Sequence, residues 1–393
     1  VLEVLKGILS GTVGALLWYS FIRGISSSLL MTFLSLYANS LGYSLVDIGF
    51  FSMVGSAVSV LMLPFVGFVA DVYGRKPVAI TSGVLMGLSP IIPIMLPNYL
   101  GLLIGYALFY SSFMVWQPAR GAMVTDVVSE GELGAVFARI STAFTLARII
   151  TPYIAGVTIV YAGYGIVFLI TSGMTLIATA AFAFLTKETI AEKKERSIDI
   201  RVLEEFMKSL IPRRDELKLH TVLSIDRVGW RLWIPLLSPY LKTTFGLDEG
   251  AVGALTTLRS ISQLLLLHLA GQFVDKYGYV KALAISEIFG LATVACLVIK
   301  GSIIAPAIAM AAMGASIAFW IPSYNVVTAK TAKTPEERAR IYSKVNMYRT
   351  TASIPMPWIG GTLSNIVMIL PFITSAALLT ANTFLILGLL REQ

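Results

Sequence analysis

The feature that most constrains this chain is a run of about 20 apolar residues that recurs between short polar breaks. One such run crosses the hydrocarbon core of a bilayer as a helix. A backbone in lipid finds no water to bond, so the runs must satisfy themselves as helices. Runs of this kind are expected over 11–37, 45–70, 77–96, 99–124, 135–161 and 164–185, and again over 219–242, 249–274, 280–299, 302–328, 339–363 and 367–390. Of 393 residues, 56% are hydrophobic and 13% charged, against about 25% charged in a soluble domain. A soluble fold of this size needs polar surface that the chain does not possess. The predicted class is an all-α membrane protein of twelve transmembrane helices.

The net charge of +8 falls mostly between the apolar runs, so it marks sidedness and gives no sign of nucleic acid as a partner. The breaks after runs 1, 3, 5, 9 and 11 are short and nearly free of basic residues, as at Leu96-Pro97-Asn98 and Ala162-Gly163. The alternate breaks carry Arg75, Lys76, Lys276, Lys281, Lys330, Lys333 and Arg338. By the positive-inside rule these face the cytoplasm, as both termini then do, and a plasma-membrane protein is expected. The lone Cys296 forms no internal disulfide framework. The first apolar run is too long for a cleavable signal peptide.

Two six-run sets, 1–185 and 218–393, flank a segment at 186–217 rich in both charges, among them Lys187, Glu188, Glu192, Lys193, Lys194, Glu195 and Arg196. Ile198, Val202, Phe206 and Leu210 recur there at i, i+4, which suits either an amphipathic helix on the inner membrane face or a solvated linker helix. The two sets are copies of one another. A shift of 204 positions carries Arg23, Gly42, Gly49, Gly67, Asp71, Gly74, Trp116 and Pro118 onto Arg227, Gly246, Gly253, Gly271, Asp275, Gly278, Trp320 and Pro322. A shift of 201 then carries Ala138-Arg139-Ile140 and Arg148 onto Ala339-Arg340-Ile341 and Arg349. Apolar composition aligns Leu with Leu by chance, but not Gly, Asp, Trp, Pro and Arg together. The repeat predicts two pseudo-symmetric bundles with a cavity between them.

The segment Gly67-Phe68-Val69-Ala70-Asp71-Val72-Tyr73-Gly74-Arg75-Lys76 resembles the signature loop between helices 2 and 3 of the major facilitator superfamily, and the repeat extends that resemblance over the whole chain. The second copy keeps Gly271, Asp275 and Gly278 but has Tyr279 in place of Arg75. The resemblance implies a secondary transporter that works by alternating access, with Gly67, Asp71, Gly74, Arg75, Gly271, Asp275 and Arg340 acting in a cytoplasmic gate. Asp71 would there meet the positive N-terminus of helix 11. Two features of the superfamily's multidrug–proton exchangers are missing. No arginine stands between Asn98 and Trp116, and Thr151-Pro152-Tyr153-Ile154-Ala155-Gly156 lacks the glycine before its proline.

Arginines in the middle of apolar runs carry the substrate reading. Arg23, Arg227, Arg148 and Arg349 fall in runs 1, 7, 5 and 11, with Arg231 one turn beyond Arg227. Each costs about 2.5–3.5 kcal/mol at a span centre unless it faces water or a counter-charge. The intramembrane acids are Asp226 and Glu287, so the cavity is expected to be electropositive. A guanidinium fork matches carboxylate and phosphate, and paired arginines in helices 1 and 7 resemble the superfamily's organophosphate–phosphate exchangers. The expectation is a small anionic solute, moved by a gradient or by exchange and held by these arginines with Tyr19, Trp116, Trp320, Tyr324 and Asn325 beside them. Asp226 and Glu287 are the acids expected to carry protons, with His220 and His268 as lesser candidates. The rival reading is a proton-coupled exporter of amphipathic drugs or lipids. No metal cluster, nucleotide-binding loop or catalytic triad is legible, so no cofactor and no enzymatic activity is expected, and the carrier is expected to act as a monomer.

Overall fold

The computed structural model describes residues 11–129, 132–189, 212–214, 216–299, 302, 304–331 and 337–389. Within them the chain forms α1 (Gly11–Ser40), α2 (Leu45–Tyr73), α3 (Arg75–Met95), α4 (Tyr99–Val127), α5 (Leu133–Leu185), α6 (Leu217–Arg231), α7 (Leu237–Phe245), α8 (Glu249–Tyr277), α9 (Tyr279–Val298), α10 (Ile304–Thr331), α11 (Glu337–Ser353), α12 (Met356–Ile366) and α13 (Leu370–Leu389). No strand occurs among the described residues. Among the described residues, nine helices are long and apolar enough to cross a bilayer. Two further features complete the expected set of twelve. Helix α5 bends at Gly163, whose φ of 78° interrupts its helical dihedrals and divides it into two crossings. Spans 7 and 11 are each broken in two, α6 from α7 by Trp233-Ile234-Pro235 and α11 from α12 near Pro355, so neither half reaches full length alone. Proline removes an intrahelical hydrogen bond and crowds the preceding turn, which is why the breaks fall there.

The repeat is visible in how helices begin. Ser44 caps α2 by exchanging hydrogen bonds with Asp47, while Asp248, its equivalent at a shift of 204, accepts from Ala251 N at 2.7 Å at the start of α8. Gly74 and Gly278, another equivalent pair, take φ of 107° and 86° in the tight turns before α3 and α9. A side chain is disfavoured in that region, which accounts for glycine at both motif positions.

The chain divides into two compact units. Unit 1 takes Val1–Leu41 and Val54–Asp199, and unit 2 takes Gly42–Met53 and Ile200–Gln393. In unit 1, α1 packs on α5 and α3 packs on both α4 and α5. Small polar residues bridge the helices, as where Ser172 Oγ donates to Gly87 O at 2.6 Å. The interior carries Leu16, Tyr19, Ala79, Trp116, Met123 and Phe182, each almost fully buried. In unit 2, α10 packs on α8 and α9, α13 packs on α9, and α6 packs on α11 and α13. Ser286 Oγ donates to Ser316 O at 2.9 Å and Ser262 Oγ to Ala311 O at 2.7 Å. The amphipathic segment expected around Ile198–Leu210 lies outside the described residues, as do the packing around Gly67 and the side chains of Asp71 and Arg340.

Candidate functional site

In unit 1, Arg23 is 1% exposed. One guanidinium nitrogen donates to Ser82 Oγ at 3.3 Å and another to the Ser112 carbonyl at 3.1 Å. The cation lies 4.7 Å from the Trp116 ring and 5.7 Å from that of Tyr19. Tyr19 stacks on Phe182 at 4.5 Å and shares a 3.0 Å hydrogen bond with Thr179. Arg23 is therefore enclosed by groups of its own unit, with aromatic faces and two oxygens in place of water. Arg148 is half-buried, beside the Phe144 ring of its own helix at 5.7 Å.

In unit 2 a second arginine lies on the equivalent tryptophan, but it is not the equivalent arginine. Arg349 sits 4.4 Å from Trp320 and 5.0 Å from Tyr324, whose rings stack at 4.6 Å. Its Nε donates to Leu223 O at 3.1 Å, and a terminal nitrogen stands 3.5 Å from Asp226 Oδ2. Arg227, the repeat partner of Arg23, contributes to the same electrostatic environment around Asp226. The reason for the exchange is legible: position 226 is an acid in the second repeat, where the first has Ile22. An acid in span 7 draws Arg349 across from span 11, while Arg23 in span 1 has, among the described residues, hydroxyl, carbonyl and ring partners. Arg231 ends α6, half-buried, and Asn325 is exposed on α10.

Glu287, the other intramembrane acid, is 3% exposed and accepts from Asn382 Nδ2 at 2.7 Å. Asp226 stands in its electrostatic neighbourhood. His220 is buried beside the Tyr348 ring, 3.8 Å from Glu216, whereas His268 is exposed and bonded to Gln272. The fully buried Glu216 gathers Lys344 Nζ at 3.1 Å and Arg213 Nε at 2.8 Å, a cluster that sequence reasoning did not identify because its members are 128 positions apart or lie in the linker.

At the motif loop, Arg75 pairs with Asp126 of α4 and donates to Ala122 O at 2.6 Å. Glu188 accepts from the backbone N–H groups of Arg75 at 3.0 Å and Lys76 at 3.2 Å, so a carboxylate caps the positive N-terminus of α3. Thr189 donates to Asp126 at 2.8 Å and ties the end of α5 to the same corner. Neither Asp126 nor Glu188 belongs to the motif, and only the packing reveals them. Asp275 is exposed, and a side chain at Gly271 would meet no atom within 4 Å.

Unit 1 also holds a groove of about 400 Å³ between α1 and the two arms of α5. Phe21, Ile25, Ile150, Ile154, Ile170 and Met174 wall it. Three threonines line it as well, but Thr151, Thr158 and Thr171 donate their hydroxyls to Ala147 O, Ile154 O and Val167 O of their own helix. Those hydroxyl protons are already engaged, so the groove is almost wholly apolar.

Helices of membrane length and the family match together define the class: a multi-pass helical membrane transporter, not an enzyme. The family model for the Major Facilitator Superfamily matches residues 16–214 and 219–393, and the chain belongs to that family. It is 23% identical over 352 residues to the multi-drug resistance efflux pump PmrA homolog of Lactococcus lactis, covering 88% of this chain and 86% of that one. It is 24% identical to the multidrug resistance protein MdtG of Salmonella typhi, with 88% and 86% covered. In fold it is similar to the nucleoside transporter NupG, with a TM-score of 0.79 at 13% identity, over 97% of this chain and 100% of that one. A bacterial homologue of the iron transporter ferroportin gives a TM-score of 0.77 at 11% identity, over 96% and 98%.

Proposed function

We propose that this carrier exports amphipathic compounds across the plasma membrane in exchange for protons, with both termini in the cytoplasm. The apolar groove of unit 1 carries the reading. Its volume of about 400 Å³ suits a drug-sized molecule, and its walls offer contact area without charge. The apolar part of a substrate rests there, and its polar end stays toward water. The setting of the arginines supports the same choice over a small anion. Arg23 is enclosed by Ser82, Ser112, Trp116 and Tyr19, and Arg349 is engaged by Asp226 and Leu223. An anion would have to displace those partners. The PmrA homolog of Lactococcus lactis is named an efflux pump and MdtG a multidrug resistance protein, which favours export despite the two missing exchanger features.

Thermal stability of the purified protein tests the substrate class, because a ligand that binds only the native state raises the apparent melting temperature. Ethidium, a lipophilic cation, is expected to raise it, and Ile154→Trp, which fills the groove, to abolish the rise. Stabilisation by phosphate esters or carboxylates alone, lost in Arg227→Ala, overturns the exporter reading in favour of the anion carrier.

A further inference from the structure

Unit 2 contains a carboxyl group that no basic side chain neutralises among the described residues. Glu287 stands about 12 Å along α9, a helix about 30 Å long, and so near the middle of its span. Among the described residues its only hydrogen bond comes from Asn382 of α13, and its Oε2, like Asn382 Oδ1, has no partner there. The groups around it come from separate helices. Asp226 of α6 lies in its electrostatic neighbourhood, Arg349 of α11 stands 3.5 Å from Asp226, Arg227 of α6 adds its charge to the surroundings of Asp226, and Trp320 and Tyr324 of α10 cover Arg349. The repeat shows that this carboxyl is particular to the second half. At a shift of 204 the first half has Gly83, where an added Cβ would stand 2.0 Å from the Tyr19 hydroxyl and 2.3 Å from Thr179 Oγ1. One half closes that helix crossing by close packing, and the other places an acid in it.

The geometry points to Glu287 as the seat of the transported proton, with Asn382 as its positioning residue and the Asp226–Arg349 pair as the element that senses its charge. A buried carboxylate with one amide donor and a second carboxylate nearby is costly, and a proton on Oε2 removes that cost. Release breaks the O–H bond at Oε2, leaves the electron pair on the carboxylate and hands the proton to water. The new carboxylate then competes with Asp226 for Arg349, whose hold on Leu223 O and on the Trp320–Tyr324 stack ties α11 to α6 and α10. Uptake of a proton from the other side restores the first state. One proton thus changes the charge of a cluster linking α6, α9, α11 and α13, and those helices are coupled to its loading.

The use of this proton rests on the exporter reading, whereas its seat does not, and two measurements separate them. In the first, the carbonyl stretch of a protonated carboxyl is followed by infrared spectroscopy of purified protein through a pH titration. Wild type is expected to show a band that Glu287→Gln lacks, and Asn382→Ala to shift its midpoint. A band unchanged in Glu287→Gln overturns the assignment. In the second, proteoliposomes are loaded with ethidium. Glu287→Gln is expected to keep ethidium counterflow within about two-fold of wild type and to lose at least ten-fold of the transport driven by a pH gradient. Gradient-driven transport at the wild-type rate in that variant overturns the proposal. If wild type moves no ethidium under any gradient, the exporter reading fails, and the infrared band still decides the proton seat.

Discussion

Breaking the Asp226–Arg349 pair tests whether buried charge in unit 2 is held in the way the structure indicates. Both residues are 5% exposed, and their nearest nitrogen and oxygen are 3.5 Å apart. At an effective dielectric of about 20 the attraction at that distance is roughly 5 kcal/mol, much of it offset by desolvation. Removing one partner leaves the other buried and uncompensated, at about 3–5 kcal/mol. Asp226→Asn is nearly isosteric, so packing loss is small and the change reads the charge. For a unit of about 200 residues, 3 kcal/mol corresponds to roughly 6–12 °C in melting temperature. Arg349→Met alone should cost a similar amount, because it leaves Asp226 with Arg227 as its remaining cationic neighbour and empties the stack of Trp320 and Tyr324. The double variant should recover much of the loss, giving a coupling energy of about 2 kcal/mol or more. The assay is thermal unfolding in detergent, with all four proteins in one buffer. Single variants within 1 °C of wild type, or strictly additive losses, would refute the argument that this pair is a desolvated unit.

Arg23→Lys keeps the charge but loses the fork that reaches Ser82 and Ser112 while lying over Trp116, so a loss of about 1–3 kcal/mol is expected in the same melting assay. Gly74→Ala and Gly278→Ala each place a side chain at positive φ and should each cost about 1–2 kcal/mol, read as a lower melting temperature with ethidium binding retained. Glu188→Ala removes the carboxylate that caps α3, and should cost about 1 kcal/mol and raise hydrogen exchange selectively at the first turn from Arg75. Ile154→Glu in the groove should weaken ethidium transport at least ten-fold while Phe184→Glu, which is 89% exposed and outside the groove, leaves it within about two-fold. Equal losses in the two would point to general damage and not to the groove.

Much of the fold is local in origin and could be read without coordinates. Apolar runs of membrane length become helices because lipid offers their backbones no alternative, and Gly42, Gly74, Gly246 and Gly278 punctuate them because their turns need positive φ. The bend at Gly163 was legible as the short Ala162-Gly163 break, and the breaks at Pro235 and Pro355 sit inside runs that hydropathy alone treats as continuous. The internal shift of 204 identified Trp116 with Trp320 before either was placed.

Which charges meet is another matter. Sequence equivalence paired Arg23 with Arg227 and Arg148 with Arg349, yet the rings of the equivalent tryptophans are covered by Arg23 in one unit and Arg349 in the other. An arginine side chain reaches several ångströms from its backbone, so its partner depends on where a counter-charge lies on neighbouring helices, and Asp226 has no counterpart in the first repeat. The contacts of Glu287 with Asn382, Glu188 with the start of α3 and Glu216 with Lys344 join positions 95, 112 and 128 apart. Helix, break and repeat were determined by the sequence itself, because each follows from local backbone chemistry and duplication. The enclosure of the arginines, the engaged threonine hydroxyls of the groove and the isolation of Glu287 were decided by tertiary packing, because burial and partnership depend on which faces of distant helices come together.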